Sequence, residues 1–199
     1  MADRLRLALV FHQHQPAGNF PHVFQEVTER AYAPLVAALY RHPEVKATVH
    51  FSGPLLDWLE ANRPDVIGDL SDLLRRGQVE LLTGGYFEPI LVGVPRRDAV
   101  GQIRSLTDRI VQIFGHRPLG AWLTERVWEP HVPSLLAEAG VAYTVLDEEH
   151  FLQAGLRRDE LGASFITEDQ GFPVVVFPGS ERLRYLIPFR DVSASLKEL

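Results

Sequence analysis

The chain has 199 residues, of which 46% are hydrophobic and 23% charged, a balance that predicts one globular unit with a substantial core and excludes disordered and fibrous classes. Its 20 basic and 26 acidic residues give a net charge of −6, and neither sign gathers into a block, so no nucleic-acid or anionic-membrane partner is predicted. The lack of cysteine excludes disulfide scaffolds, thiolate metal sites and cysteine nucleophiles.

Short apolar strands alternate with amphipathic helices along most of the chain. The predicted strands are residues 5–11, 47–51, 78–82, 119–123 and 143–146. The predicted helical segments are residues 23–39, with a break at Pro34, then 55–59, 66–74, 98–114 and 132–139. This alternation predicts an α/β fold with a parallel sheet, either open or closed into a barrel.

The pattern changes from Phe165 onward. Short apolar runs are broken there by Gly171-Phe172-Pro173 and Pro178-Gly179-Ser180, which favours a hairpin over another helical crossover. No linker divides the chain, so residues 1–199 are predicted to form a single unit. Residues 1–10 lack the apolar core and cleavage site of a signal peptide, and no stretch approaches the roughly 20 apolar residues of a membrane span, so a cytoplasmic location is expected.

Polar side chains stand at or just after the end of each predicted strand: His12 and His14, His50, Glu80 and Glu88, Glu125, and Asp147. The loops that leave the carboxyl ends of parallel strands converge on one side of a sheet, so these groups are expected to meet there. Along an extended segment, His12 and His14 are expected to point the same way.

Glu125 lies between Trp122 and Trp128, directly after a buried strand. A charge in that position is costly unless it is paired or used, and an ion pair with Arg126 or another arginine at a strand end is one explanation. A sugar cleft is the other, because pyranose rings stack on indoles while carboxylates bind hydroxyls. Cleavage of a glycosidic bond with retention needs two carboxyl groups about 5 to 5.5 Å apart, and the sequence does not say which pair meets.

The histidines allow a metal alternative. His12, His14 and His50 with Asp147 would suit a divalent cation. The His-x-His spacing is a weak signal, and hydrogen bonding to a substrate or a satisfied interior position explains the same residues.

Three segments, in chain order, resemble the signatures of glycoside hydrolase family 57, which includes α-amylases, 4-α-glucanotransferases, branching enzymes and amylopullulanases. The segments are His12-Gln13-His14-Gln15-Pro16, Gly77-Gln78-Val79-Glu80-Leu81 and Trp122-Leu123-Thr124-Glu125-Arg126-Val127-Trp128. The chain is most similar to the α-amylase and 4-α-glucanotransferase branch.

The resemblance implies a (β/α)7 barrel and retaining chemistry on the α-1,4 bonds of an α-glucan or maltooligosaccharide, with no metal or organic cofactor. Glu125 matches the nucleophile of the family. His12, His14, Glu80 and Trp122 match positions that shape the donor sugar subsite.

The general acid of the family is an aspartate in a fourth signature, which is expected after Ile187-Pro188-Phe189-Arg190 and does not occur in these 199 residues. Residues 1–199 are therefore expected to be the amino-terminal part of an incomplete barrel, whose further strands and helical carboxyl-terminal domain lie outside this sequence. Asp147 is a weak substitute acid. A non-catalytic carbohydrate-binding or regulatory homologue and a metal-dependent polysaccharide deacetylase-like barrel remain alternatives, and open sheet edges predict self-association.

Overall fold

The computed structural model describes residues 7–198, which form a seven-stranded sheet in the order β1-β2-β3-β4-β5-β7-β6. The strands are β1 Val10–Gln13, β2 Ala47–Phe51, β3 Val79–Gly84, β4 Gly120–Trp122, β5 Tyr143–Asp147, β6 Phe165–Asp169 and β7 Phe172–Gly179. Every neighbouring pair is parallel except β6 and β7. The predicted α/β fold with a parallel sheet is confirmed.

Nine α-helices connect and cover these strands in the described part of the chain. They are α1 Pro21–Val27, α2 Ala33–Arg41, α3 Gly53–Asn62, α4 Pro64–Arg75, α5 Arg96–Phe114, α6 Val132–Glu138, α7 Glu148–Gln153, α8 Glu181–Leu186 and α9 Val192–Glu198. Across residues 7–198, no helix combines the length and the apolar character that a membrane span requires.

Helices α1 to α6 all pack on one face of the sheet. Alternate strand residues such as Val49, Leu81 and Ala121 are buried beneath these helices, in two hydrophobic cores. The residues between them, such as His50 and Trp122, point to the other face. An open doubly wound sheet carries helices on both faces, whereas a barrel wall carries them on one. The structure therefore decides for the barrel type, and the barrel is incomplete because β1 and β6 form separate edges of an unclosed sheet.

The helical run 21–41 is not broken at Pro34 but changes its hydrogen-bonding pattern just before it. A π-helical turn, Thr28–Tyr32, follows α1, and α2 begins at Ala33 with Pro34 in its first turn. Proline has no N–H to donate to the preceding turn, and the wider π turn directly before it lies where a regular α-helix would need that donor. The π turn also aims Tyr32 inward, where its hydroxyl donates to the carbonyl of His14 at 2.8 Å.

The first and third strands differ from the sequence expectation. Residues 5 and 6 lie outside the described residues, and β1 begins only at Val10 and runs to Gln13, so His12 lies inside the strand. β3 continues to Gly84, which pairs with Trp122, two residues beyond the predicted end of the strand at residue 82. The end of β3 is set by its pairing with β4, and a local sequence pattern does not identify the partner strand.

The predicted hairpin is confirmed as the antiparallel pair β6 and β7. Its turn residues Gln170 and Gly171 have φ values of 55° and 80°, which suit a two-residue turn with left-handed positions. β7 then pairs in parallel with β5, so the hairpin forms part of the crossover between two parallel strands.

Candidate functional site

The carboxyl ends of β1, β2 and β4 and the loops after β3 and β4 bring one group of polar side chains together. The group consists of His12, His14, His50, Glu88, Trp122 and Glu125. Because neighbouring parallel strands end at the same edge, residues far apart in sequence become neighbours there. Three of the residues matched to the donor sugar subsite, His12, His14 and Trp122, belong to this group.

The imidazoles form a stacked row that ends on an indole. The rings of His12 and His14 lie 5.9 Å apart at 14°, and the ring of His12 lies 4.7 Å from that of Trp122 at 13°. His12 and His14 therefore point the same way, as predicted. The Nδ1 atoms of His12 and His50 are 2.9 Å apart, so one of them donates a hydrogen bond and the other accepts it.

Gly84 makes room for the buried His50. A Cβ at position 84 would lie 2.9 Å from Nε2 of His50 and 2.8 Å from the carbonyl oxygen of Trp122. Any side chain there would force the imidazole or the strand to move. The glycine at the end of β3 is thus a packing requirement of the site.

Glu88 is the residue of this group that the sequence did not single out as a site residue. Its carboxylate oxygens lie 3.2 Å from Nδ1 of His14, 3.4 Å from Nδ1 of His50 and 3.5 Å from Nε2 of His12. The side chain is only 6% exposed, and the backbone holds it there with a φ of 53°. The available signal was the Gly85-Tyr86-Phe87-Glu88-Pro89 segment, in which glycine and proline bracket a tight turn directly after a strand.

Burial sets the protonation of these groups. It raises the pKa of Glu88 to about 8, with a smaller contribution from the charge of Glu125. Burial lowers the pKa of His12 to about 4, helped by His14 and Arg126, and it lowers the pKa of His14 as well. The imidazoles are therefore neutral at pH 7, and neutral imidazoles can both donate to and accept from hydroxyl groups.

Glu125 is exposed and lies in the one-turn 3₁₀ helix Thr124–Arg126. Glu125 and Arg126 have φ values of 51° and 52°. Non-glycine residues in this left-handed region cost roughly 1–3 kcal/mol each, and such strain is often stored at functional sites. The charge of Glu125 raises the pKa of His14 and of Glu88, in opposition to burial at His14 and together with it at Glu88.

The ion-pair explanation of Glu125 is not supported. The Nε atom of Arg126 donates to Oδ1 of Asp147 at 2.7 Å, and Arg184 lies 3.5 Å from the same oxygen. Asp147 therefore pairs with Arg126 and Arg184. The metal alternative required Asp147 beside the histidines, and the structure does not place it there. A different set, His12, His14 and Glu88, has one donor atom each within 4.8 Å of one another and could hold a divalent cation.

Glu80 lies apart from this group. It stands near the amino end of β3, opposite Thr48 in register, and accepts a hydrogen bond of 2.6 Å from the hydroxyl of Tyr143. It shares with His50 the face of the sheet opposite α1 to α6, but the structure does not bring it into contact with the imidazole row. Its assignment to the sugar subsite stays a prediction.

The fold and the site together are typical of barrel proteins that act on carbohydrates. Neutral imidazoles, an indole and an exposed carboxylate at the carboxyl ends of barrel strands are groups that bind and cleave sugars. Residues 8–197 match the sequence profile of Glycosyl hydrolase family 57, and the chain belongs to this family.

Similar proteins carry two names for activity on α-glucans. The chain is 45% identical over 197 residues to a 4-alpha-glucanotransferase of Thermococcus litoralis, covering 99% of this chain and 30% of that protein. It is 44% identical over 199 residues to alpha-amylase 1 of Dictyoglomus thermophilum, covering 100% of this chain and 29% of that protein. The crystal structure of 4-alpha-glucanotransferase from Thermococcus litoralis superposes with a TM-score of 0.90 at 46% identity, covering 96% of this chain and 30% of that one. The chain thus spans about 30% of the length of these relatives.

Proposed function

We propose that this chain is the nucleophile-bearing part of a retaining enzyme that acts on the α-1,4 bonds of glucans. The observation that carries the proposal is Glu125, an exposed carboxylate held in a left-handed turn three positions after Trp122, whose indole stacks on the imidazole of His12, while Arg126 donates to Asp147. The names of the similar proteins, 4-alpha-glucanotransferase and alpha-amylase, support an α-glucan or maltooligosaccharide substrate. The proposal includes the cytoplasmic location that the sequence predicts.

In this mechanism a carboxylate oxygen of Glu125 attacks the anomeric carbon from the β face while the leaving-group oxygen takes a proton. The product is a covalent β-glucosyl enzyme. Water attacks its anomeric carbon in hydrolysis, and a sugar hydroxyl attacks it in glucan transfer. His12 and His14 bind hydroxyls of the donor sugar, because both imidazoles are neutral. The negative charge of Glu125 also stabilises the positive charge that develops at the anomeric carbon.

The proton for the leaving group comes, in this proposal, from an aspartate outside the 199 residues. Glu88 has the raised pKa of an acid, but its carboxyl group is 6% exposed and faces three imidazoles, so it has no open path to a leaving group. Asp147 is paired with Arg126 and is an equally poor donor. The short span relative to the similar proteins supports a further contribution from outside this sequence.

The decisive experiment determines the anomeric form of the first product. Maltooligosaccharide is added to the protein as its cell makes it, and proton NMR follows the reaction before mutarotation. We expect the α-anomer, because two successive displacements restore the starting configuration. A β-anomer would contradict the proposal, and glucan binding without any turnover would identify a non-catalytic carbohydrate-binding homologue.

We also expect the isolated 199-residue chain to self-associate through an open sheet edge. β6 is an edge strand, and Ile166 on it is 75% exposed. Exposed strand edges with apolar side chains invite pairing with another chain. Sedimentation velocity should show dimers or larger species that Ile166→Lys reduces. Leu196→Lys, at an exposed apolar position on α9, is the matched control and should leave association unchanged; a monomeric wild-type chain would contradict the expectation.

A further inference from the structure

Glu88 lies outside the three segments that resemble the family signatures, yet it contacts more of the imidazole row than any residue within them. It follows Glu80 by eight positions, beyond the second segment, and it comes from the loop after β3. Each of its neighbours His12, His14 and His50 comes from β1, β2 or the segment that follows β1. The loop therefore delivers one carboxyl group to three imidazoles from two other strands.

The contacts are too specific for a solvated surface carboxylate. Oε2 lies 3.2 Å from Nδ1 of His14 and 3.5 Å from Nε2 of His12, while Oε1 lies 3.4 Å from Nδ1 of His50. A left-handed backbone at Glu88, with a φ of 53°, costs free energy that a plain loop would avoid. Nδ1 of His14 and Oε1 of Glu88 are buried and have no hydrogen-bond partner among residues 7–198, so the close approach of the carboxyl group and the imidazoles is what offsets their removal from water.

We propose that Glu88 is a positioning residue of the donor sugar subsite, which ties the imidazoles of His12, His14 and His50 into one cluster and fixes the two that face the glucan. The inference rests on the proposed function of the site. Glu88 itself does not touch the sugar, because its carboxyl group is buried beneath the row. Its effect on binding passes through the orientation of His12 and His14.

The charge balance of the cluster supports this role. The ionisable groups that face Glu88 are His12, His14 and His50, with Glu125 beside them and Arg126 acting on His12. A protonated Glu88 among neutral imidazoles and an ionised Glu88 beside one imidazolium carry the same net charge of zero. In either form Glu125 is the negative charge that faces the substrate, and the imidazole nitrogens lie 3.2–3.5 Å from the oxygens of the carboxyl group.

The first measurement tests whether Glu88 orders the imidazoles in the absence of sugar. Glu88→Gln keeps the shape and the hydrogen-bonding capacity of a neutral carboxyl group, whereas Glu88→Ala removes both. Without sugar and with a chelator present, the nitrogen-15 shifts of the imidazoles of His12, His14 and His50 should change in Glu88→Ala and stay near the wild-type values in Glu88→Gln. Glu149→Gln, at an exposed position on α7, is the control and should change neither.

Glucan affinity is the second measurement. Glu88→Ala should weaken maltooligosaccharide binding by about tenfold, the usual size of losing one or two oriented hydrogen bonds, and Glu88→Gln should restore most of it. Unchanged imidazole shifts in Glu88→Ala, or unchanged affinity despite altered shifts, would overturn the proposal. Stoichiometric zinc uptake that Glu88→Ala abolishes would overturn it as well, in favour of a metal site. If no variant and no wild-type protein binds glucan, the proposed function fails, while the nitrogen shifts still decide whether Glu88 orders the imidazoles.

Discussion

Replacing Glu125 with glutamine is expected to abolish turnover of maltooligosaccharides while leaving binding in place. The amide keeps the shape of the side chain but cannot attack the anomeric carbon or form the glucosyl ester. Loss of a catalytic nucleophile can cost about 10⁶-fold in kcat. The measurement is steady-state release of reducing sugar by the protein as its cell makes it, together with calorimetric binding of a maltooligosaccharide.

Two controls give this prediction its force. Glu129→Gln alters an exposed carboxylate four positions further along and should retain wild-type kcat. Glu125→Ala, supplied with azide and an activated α-glucosyl donor, should form the β-glucosyl azide, because the small anion occupies the space of the lost carboxylate. Retained turnover in Glu125→Gln, or rescue that yields the α-azide, would remove Glu125 from the nucleophile position.

Replacing Gly120 with alanine is expected to destabilise the fold by about 1–3 kcal/mol, the usual cost of overpacking. A methyl group at position 120 would lie 2.2 Å from Cζ of Tyr143 and 2.6 Å from Cδ2 of Leu82. The ring of Tyr143 crosses β4 at this glycine to reach Glu80, so relief of the clash would also strain the Tyr143 to Glu80 hydrogen bond. The melting temperature should fall by roughly 2–4 °C for each kcal/mol of stability that is lost.

Gly68→Ala is the matched control for the same chemical change. Gly68 lies within α4, it is exposed, and a Cβ there would meet no atom within 4 Å. Alanine in a helix interior is favoured over glycine by roughly 0.5–1 kcal/mol, so this variant should be slightly more stable than wild type. Equal melting temperatures for Gly120→Ala and Gly68→Ala would show that the space above Gly120 is not needed.

Most helices and strands can be predicted from the sequence because the patterns that mark them are local. Apolar periodicity located the helix that became α5 and the strand that became β2, and glycine with proline marked the hairpin after Phe165. Strand ends were less certain. Gly84 belongs to β3 because it pairs with Trp122, and ladder pairing depends on a residue 38 positions away.

The candidate site can be predicted from the sequence only in part. His12 and His14 were placed side by side by strand alternation alone, and the structure agrees. Glu88 is among the polar groups that the sequence places at this edge of the sheet, but the sequence gives it no role and no partner, because its exact position depends on a left-handed loop residue that no local pattern encodes. The sequence allows Arg126 as a partner of Glu125, whereas in the structure Arg126 binds Asp147 from the next strand.

The sequence by itself determined the chemical inventory, the alternation of strands and helices, and the motifs that mark the family. These follow from residue types and short spacings, which carry their physical meaning without a partner. Only the tertiary structure decided that α1 to α6 cover one face, that Glu80 pairs with Tyr143, and that Glu88 joins three imidazoles. Those facts depend on the register of parallel strands and on the torsions of the loops between them, which bring together groups that lie far apart along the chain.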